Sequence, residues 1–113
     1  MSALQEEFAQ SVATLIEEAA DRGYGVTLGE AWRTPEQAEW YAAQGMGITD
    51  SLHTERLAID LNLFKQGVYL TDPAAYTELG EWWKNLGLGY RWGGDFHIKD
   101  YNHFSISPDG IRG

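Results

Sequence analysis

The sequence predicts a small α+β domain, an antiparallel sheet of short strands flanked by about three helices. Two observations carry this. Apolar residues recur at helical spacing in two segments and a helix-start signal marks a third, and between them lie short runs with strand-like alternation, clearest over residues 57–64. The 113 residues fit one compact domain, 1–113, with no repeat, low-complexity stretch or linker.

The first helix is expected over residues 3–21, where Leu4, Phe8, Val12, Leu15, Ile16 and Ala19 share one face. Ser2 and Gln5 suit a capping box at its start, and Gly23 suits its stop. A short strand follows over 26–32. Thr34, Pro35 and Gln37 then open a second helix that runs to residue 43 and ends at Gly45. Residues 45–52 form a loop. In the strand over 57–64, Leu57, Ile59, Leu61 and Leu63 share one face, and Ala58, Asp60, Asn62 and Phe64 the other. Residues 65–67 turn the chain, and Tyr69 and Leu70 return as a partner strand. Asp72 and Pro73 open a third helix that ends near Leu86, with Tyr76, Leu79, Trp83 and Leu86 as its inner stripe. Residues 89–102 read as a Gly- and aromatic-rich loop. Residues 103–107 read as a last strand, with Phe104 and Ile106 on one face and His103 and Ser105 on the other.

A formal net charge of -9 argues against a nucleic-acid partner and against binding to anionic membranes. The absence of cysteine excludes disulfides and thiolate metal sites. No apolar run is long enough to span a bilayer, so no membrane insertion is expected. Residues 1–23 carry Glu6, Glu7, Glu17 and Glu18 in place of a basic and then apolar leader. The expectation is a chain made in the cytoplasm without a signal peptide, acting elsewhere only after release.

Asp60 alone reads as a solvated strand residue. It gains meaning from His53, seven residues before it, and from His103, which opens the last strand with Asp100 three residues ahead. Two imidazoles and a carboxylate can hold a catalytic zinc, and a second carboxylate left off the metal can serve as general base. There is no HExxH helix. His97 offers a competing imidazole. Trp82 and Trp83 fall at core spacing, Trp92 suits either a cleft wall or a core plug, and Glu55 and Asp95 read as solvated.

Ser51, His53, Ala58 and Asp60 stand in a spacing that resembles the SxHxxGxAxD motif of the zinc D-Ala-D-Ala carboxypeptidases and L-Ala-D-Glu endopeptidases. That family includes vancomycin-resistance-type peptidases and phage endolysins. Asp100, His103 and Phe104 resemble its second motif, an acid three residues before a His. Arg33 before the second helix resembles its upstream arginine segment, and the Trp92-Gly93-Gly94-Asp95-Phe96 run looks like a loop of phage members. Arg56 stands where the motif has Gly.

The resemblance implies a hedgehog- or D-Ala-D-Ala-peptidase-like fold and a metallopeptidase that degrades cell wall. It implies Zn2+ on His53, Asp60 and His103, proton transfer by Asp100 and oxyanion stabilisation by Arg33. Ser51 and Trp92 are expected at the substrate. The expected substrate is a peptidoglycan stem peptide, cut as an L-alanyl-D-glutamate peptidase by a bacteriolytic, endolysin-like monomer released through a holin-like partner. A D-Ala-D-Ala carboxypeptidase is the alternative, as is a non-catalytic, metal-stabilised binding or tail-associated module. Asp100 and Arg33 together argue against the last, which needs only the ligands.

Overall fold

The computed structural model describes residues 2–29, 36, 37, 40, 43 and 57–107. Helix α1 (Ser2–Asp21) buries Phe8, Val12, Leu15 and Ala19, the stripe that its sequence spacing predicts. It ends in a Schellman motif, in which Tyr24 N–H donates to Ala19 O (3.0 Å) and Gly23 N–H to Ala20 O (2.9 Å). This motif needs a left-handed residue, and Gly23 supplies it at φ 91°.

Strand β1 (Gly25–Leu28) is shorter than expected, and residues 30–32 lie outside the described residues. The helix expected over 34–43 also falls mostly outside them; its described residues Glu36, Gln37, Trp40 and Ala43 are helical. Two helices rather than three are therefore bounded among the described residues. Strand β2 (Ala58–Lys65) and strand β3 (Val68–Tyr69) form a hairpin closed by Gln66 and Gly67 at φ 52° and 79°. Positive φ at both turn residues matches the right-handed strand twist.

Helix α2 (Pro73–Lys84) is capped by Asp72, whose side chain accepts from Ala74 N–H at 3.0 Å. Tyr76, Leu79 and Trp83 are buried along it as expected, but the helix stops before Leu86, which is 41% exposed and leaves the stripe. The expected loop over 89–102 is also corrected. It contains strand β4 (Tyr90–Trp92) and a 3₁₀ turn (Gly93–Asp95), after which β5 (His103–Ile106) closes the sheet.

The five strands pair antiparallel in the order β1-β2-β5-β4, with β3 also on β2. Ile59 lies opposite Phe104, and Trp92 pairs with Phe104 from the other side, so these side chains share the face that both helices cover. Trp83 is at the centre of that core, with edge contacts to Phe8 (6.0 Å), Tyr90 (4.9 Å) and Phe104 (5.9 Å). Its indole N–H donates to Ser105 O at 3.0 Å, so the largest core side chain leaves no polar atom unsatisfied. The opposite face carries Asn62, Asp60 and Ala58 on β2, His103 and Ser105 on β5, and Arg91 on β4. Among the described residues no helix is long and apolar enough to cross a membrane.

The buried Tyr76 hydroxyl ties α2 to the hairpin, accepting from Leu63 N–H (3.1 Å) and donating to Leu70 O (2.8 Å). Burial raises its pKa. Tyr76→Phe leaves both backbone groups short of a partner and should cost roughly 1–3 kcal/mol, read as a lower urea midpoint at unchanged slope. A midpoint equal to wild type would contradict this role.

Candidate metal centre

The site is built by strand register and one turn. Antiparallel pairing sets Asp60 directly opposite His103, which puts carboxylate and imidazole on the same face. Asp100 reaches them by a tight turn in which His103 N–H donates to Asp100 O at 3.1 Å. This explains the three-residue spacing of the second motif, because a turn of that length folds the acid back over the histidine. The turn is fastened on two sides. Asp100 N–H donates to Gly93 O (3.0 Å), and Leu61 N–H on β2 donates to Asn102 O (2.8 Å). The Asn102 side chain adds a bond to Asn62 Oδ1 at 2.9 Å.

His103 Nδ1 stands 3.8 Å from Asp60 Oδ1 and 4.0 Å from Asp100 Oδ2. Both distances exceed a hydrogen bond. Atoms sharing a tetrahedral ion with arms of about 2.1 Å lie about 3.4 Å apart, so Asp60 and His103 need only a small contraction to share one, with Asp100 beside it. Donor atoms of Asp60, Asp100 and His103 all lie within 4.8 Å of one another, the one such group among the described residues. Two hard carboxylates and an imidazole fit a divalent metal. The surroundings differ between the acids. His103 is 3% exposed, and the side chain of Asp60 is half as exposed as that of Asp100, at 24% against 52%.

Phe96 walls the imidazole, with ring centroids 5.1 Å apart, and the Arg91 guanidinium lies 5.1 Å from the centroid of the Phe96 ring. Sequence reading assigned Phe96 no separate role, although it belongs to the Trp92–Phe96 run that carried part of the resemblance. Gly93 is required by close approach, since a Cβ there would sit 2.0 Å from Asp100 O and 2.8 Å from His103 Cβ.

The structure therefore joins Asp60, Asp100 and His103. His53, Ser51, Arg33 and Arg56 lie outside the described residues, as does Glu55. His97 is exposed and stands apart from the donor group. Asp95, expected to be solvated, pairs with Lys84 at 2.7 Å. Trp92, left between cleft wall and core plug, is a core residue at 5% exposure, and this burial corrects its expected place at the substrate.

Fold and site define a class: a small α+β domain whose sheet carries carboxylates and an imidazole suited to a hydrolytic metal. The sequence profile of the D-alanyl-D-alanine carboxypeptidase family matches residues 44–106, more than half of the 113 residues. The chain belongs to that family and is a peptidase of peptidoglycan peptides. Its structure is similar to the L-Ala D-Glu endopeptidase ChiX of Serratia marcescens, with a TM-score of 0.69, 19% identity, and coverage of 95% of this chain and 89% of that one. At that identity the likeness establishes the shared fold. No curated protein matches the sequence.

Gly93→Ala should spare the core and damage the site, because the new methyl meets the backbone of the Asp100 turn. Overpacking costs about 1–3 kcal/mol, so metal affinity should fall roughly tenfold or more in a calorimetric titration. Wild-type affinity in this variant would contradict the tight seat.

Proposed function

We propose that the protein is a zinc-dependent endopeptidase that cleaves the L-Ala–D-Glu bond of the peptidoglycan stem peptide. The convergence of Asp60, Asp100 and His103 on one sheet face carries this reading. Membership of a peptidase family supports it, and so does a fold like that of an L-Ala D-Glu endopeptidase. The Trp92–Phe96 run, similar to that of phage members, favours a phage-type endolysin made in the cytoplasm and released to the wall through a holin-like partner. A D-Ala-D-Ala carboxypeptidase is the second reading, favoured by the description of the matching family.

Asp60 and His103, with His53, would hold the metal. When bound, zinc polarises a carbonyl and acidifies water. The residues supply the rest. Asp60 is fixed on a strand and shielded, as a ligand should be, whereas Asp100 stands on a turn and reaches solvent. Asp100 Oδ2 takes the proton of the attacking water and returns it to the leaving amine, so one peptide and one water become a carboxylic acid and an amine. Phe96 holds the imidazole plane and excludes water from one side. Arg33 steadies the negative charge that develops on the carbonyl oxygen.

The two acids should separate by mutation. Asp60→Ala should lose both metal and hydrolysis. Asp100→Ala should keep about one zinc per chain by elemental analysis while hydrolysis falls about 10²–10⁴-fold. Loss of zinc from a folded Asp100→Ala variant would make Asp100 a ligand instead.

Digestion of purified sacculi, with mass spectrometry of the products, tests the substrate. New amino-terminal D-Glu, with L-Ala left on the muramic acid, is the expected result. Free D-Ala as sole product would establish the carboxypeptidase reading.

A further inference from the structure

We propose that Trp92 is a positioning residue that holds Asp100 in place for proton transfer without touching substrate, a role that rests on the reading of Asp100 given above. The indole is buried on the core side of the sheet, opposite the face that carries Asp60 and His103. Its N–H nevertheless reaches into the site's own turn, donating to Tyr101 O at 2.7 Å. Tyr101 is the residue next to Asp100, and the bond spans the turn that closes from His103 N–H to Asp100 O. The residue after Trp92 fastens the same turn from the other end, since Gly93 O accepts from Asp100 N–H. The dipeptide Trp92-Gly93 thus holds the two peptide groups that flank the one joining Asp100 to Tyr101, through the Gly93 carbonyl and the Trp92 indole.

The indole is in turn locked. A Cβ on Gly80 of α2 would lie 2.2 Å from its ring, and one on Gly94 would lie 2.1 Å from it. Two residues without side chains therefore make the slot into which the ring fits, one on the helix and one on the 3₁₀ turn. Lys84 closes the arrangement. Its ammonium lies 5.9 Å over the Trp92 ring and pairs with Asp95 at 2.7 Å, which binds the 3₁₀ turn to α2. The Asp95 carboxylate, followed by that of Glu81, raises the Lys84 pKa, so this tie stays charged through neutral pH. The Asp100 side chain is 52% exposed, and the backbone that carries it is held by the Trp92-Gly93 dipeptide on both sides. Its location is set through the backbone, and the backbone is set by Trp92. The run of aromatic and glycine residues before the second motif then has a mechanical meaning: a rigid core element is extended under the turn that bears the acid.

The test uses full-length, zinc-loaded protein and Trp92→Phe, which keeps a ring in the slot and deletes the N–H. Amide exchange by NMR should accelerate about tenfold at Asp100 and His103 and stay unchanged at Ile59 and Leu79. With zinc content unaltered, kcat should fall about tenfold at unchanged KM, and in the Asp100→Ala background the same substitution should change the rate less than about twofold. A merely structural Trp92 would slow both backgrounds alike, and that result overturns the proposal, as does unchanged exchange at Asp100 and His103. Should Trp92→Phe fail to fold, wild-type protein decides: corrected for their different intrinsic exchange rates, the Trp92 indole proton and the Asp100 amide should open with one common free energy, and different opening free energies overturn the proposal. Absence of hydrolysis in wild type would sink the peptidase reading alone, while the exchange rates would still decide what Trp92 holds.

Discussion

Everything at the candidate site depends on the antiparallel pairing of β2 with β5. Side chains alternate with period two along a strand, so a slip of one residue would turn Asp60 into the core and set an aliphatic residue opposite His103. The core prevents this. Leu61, Leu63 and Phe104 are fully buried on the helix side, and each is worth roughly 1.5–3 kcal/mol relative to exposure. A slipped register would forfeit several such terms together. The polar geometry of one face is thus enforced by the apolar packing of the other, and the helices act on the site although neither contributes one of its joined residues.

A second constraint is closeness. β5 must lie near enough to the 3₁₀ turn for Asp100 to fold over His103, and this leaves no room for a side chain at position 93. The same economy of space recurs around Trp92. Large aromatic and absent side chains alternate through this region, a way of reaching interior packing density in a short chain. Trp83 and Trp92 resemble each other in this respect. Each buries an indole in the core and sends its N–H to a backbone carbonyl near the site, at Ser105 and Tyr101. The two carbonyls belong to β5 and to the turn leading into it, so the strand that presents His103 is gripped from the core side at two points.

Much of this was legible from spacing. The alternation over 57–64 placed Asp60 on the face opposite Ile59 and Leu61, and Asp100 stood out as the acid three residues before His103, although the turn that joins them is visible only in the structure. The stripes of α1 and most of α2 followed from three- and four-residue steps. What spacing missed has local causes. β4 has three residues, Tyr, Arg and Trp, too short a run for period two to emerge, and it exists because it pairs with β5 rather than because of its own propensity. Leu86 continues the apolar rhythm of α2 but lies beyond its last turn, since Asn85 caps the helix with a bond from its side chain to Glu81 O. Trp92 could not be placed because an indole suits both a cleft and a core, and only the slot between Gly80 and Gly94 decides between them. Those two glycines are 14 positions apart in sequence, beyond the reach of any local pattern. The segment that bears His53, Ser51 and Arg33 lies outside the described residues, so those roles rest on motif alone.

The charge of the chain bears on how such a site would work. A net charge of -9 favours uptake of a divalent cation and disfavours approach of an acidic stem peptide. These effects act over different distances. At physiological salt the field is screened within about 8 Å, so a peptide near the sheet responds to the charges of that face rather than to the whole protein. There, Asp60 and Asp100 contribute two negative charges, a bound divalent metal cancels them, and Arg91 stands on the same face with its guanidinium over Phe96. Metal binding then does more than supply chemistry. It would offset the negative charge of Asp60 and Asp100 and so lower the electrostatic barrier to an acidic peptide at that face.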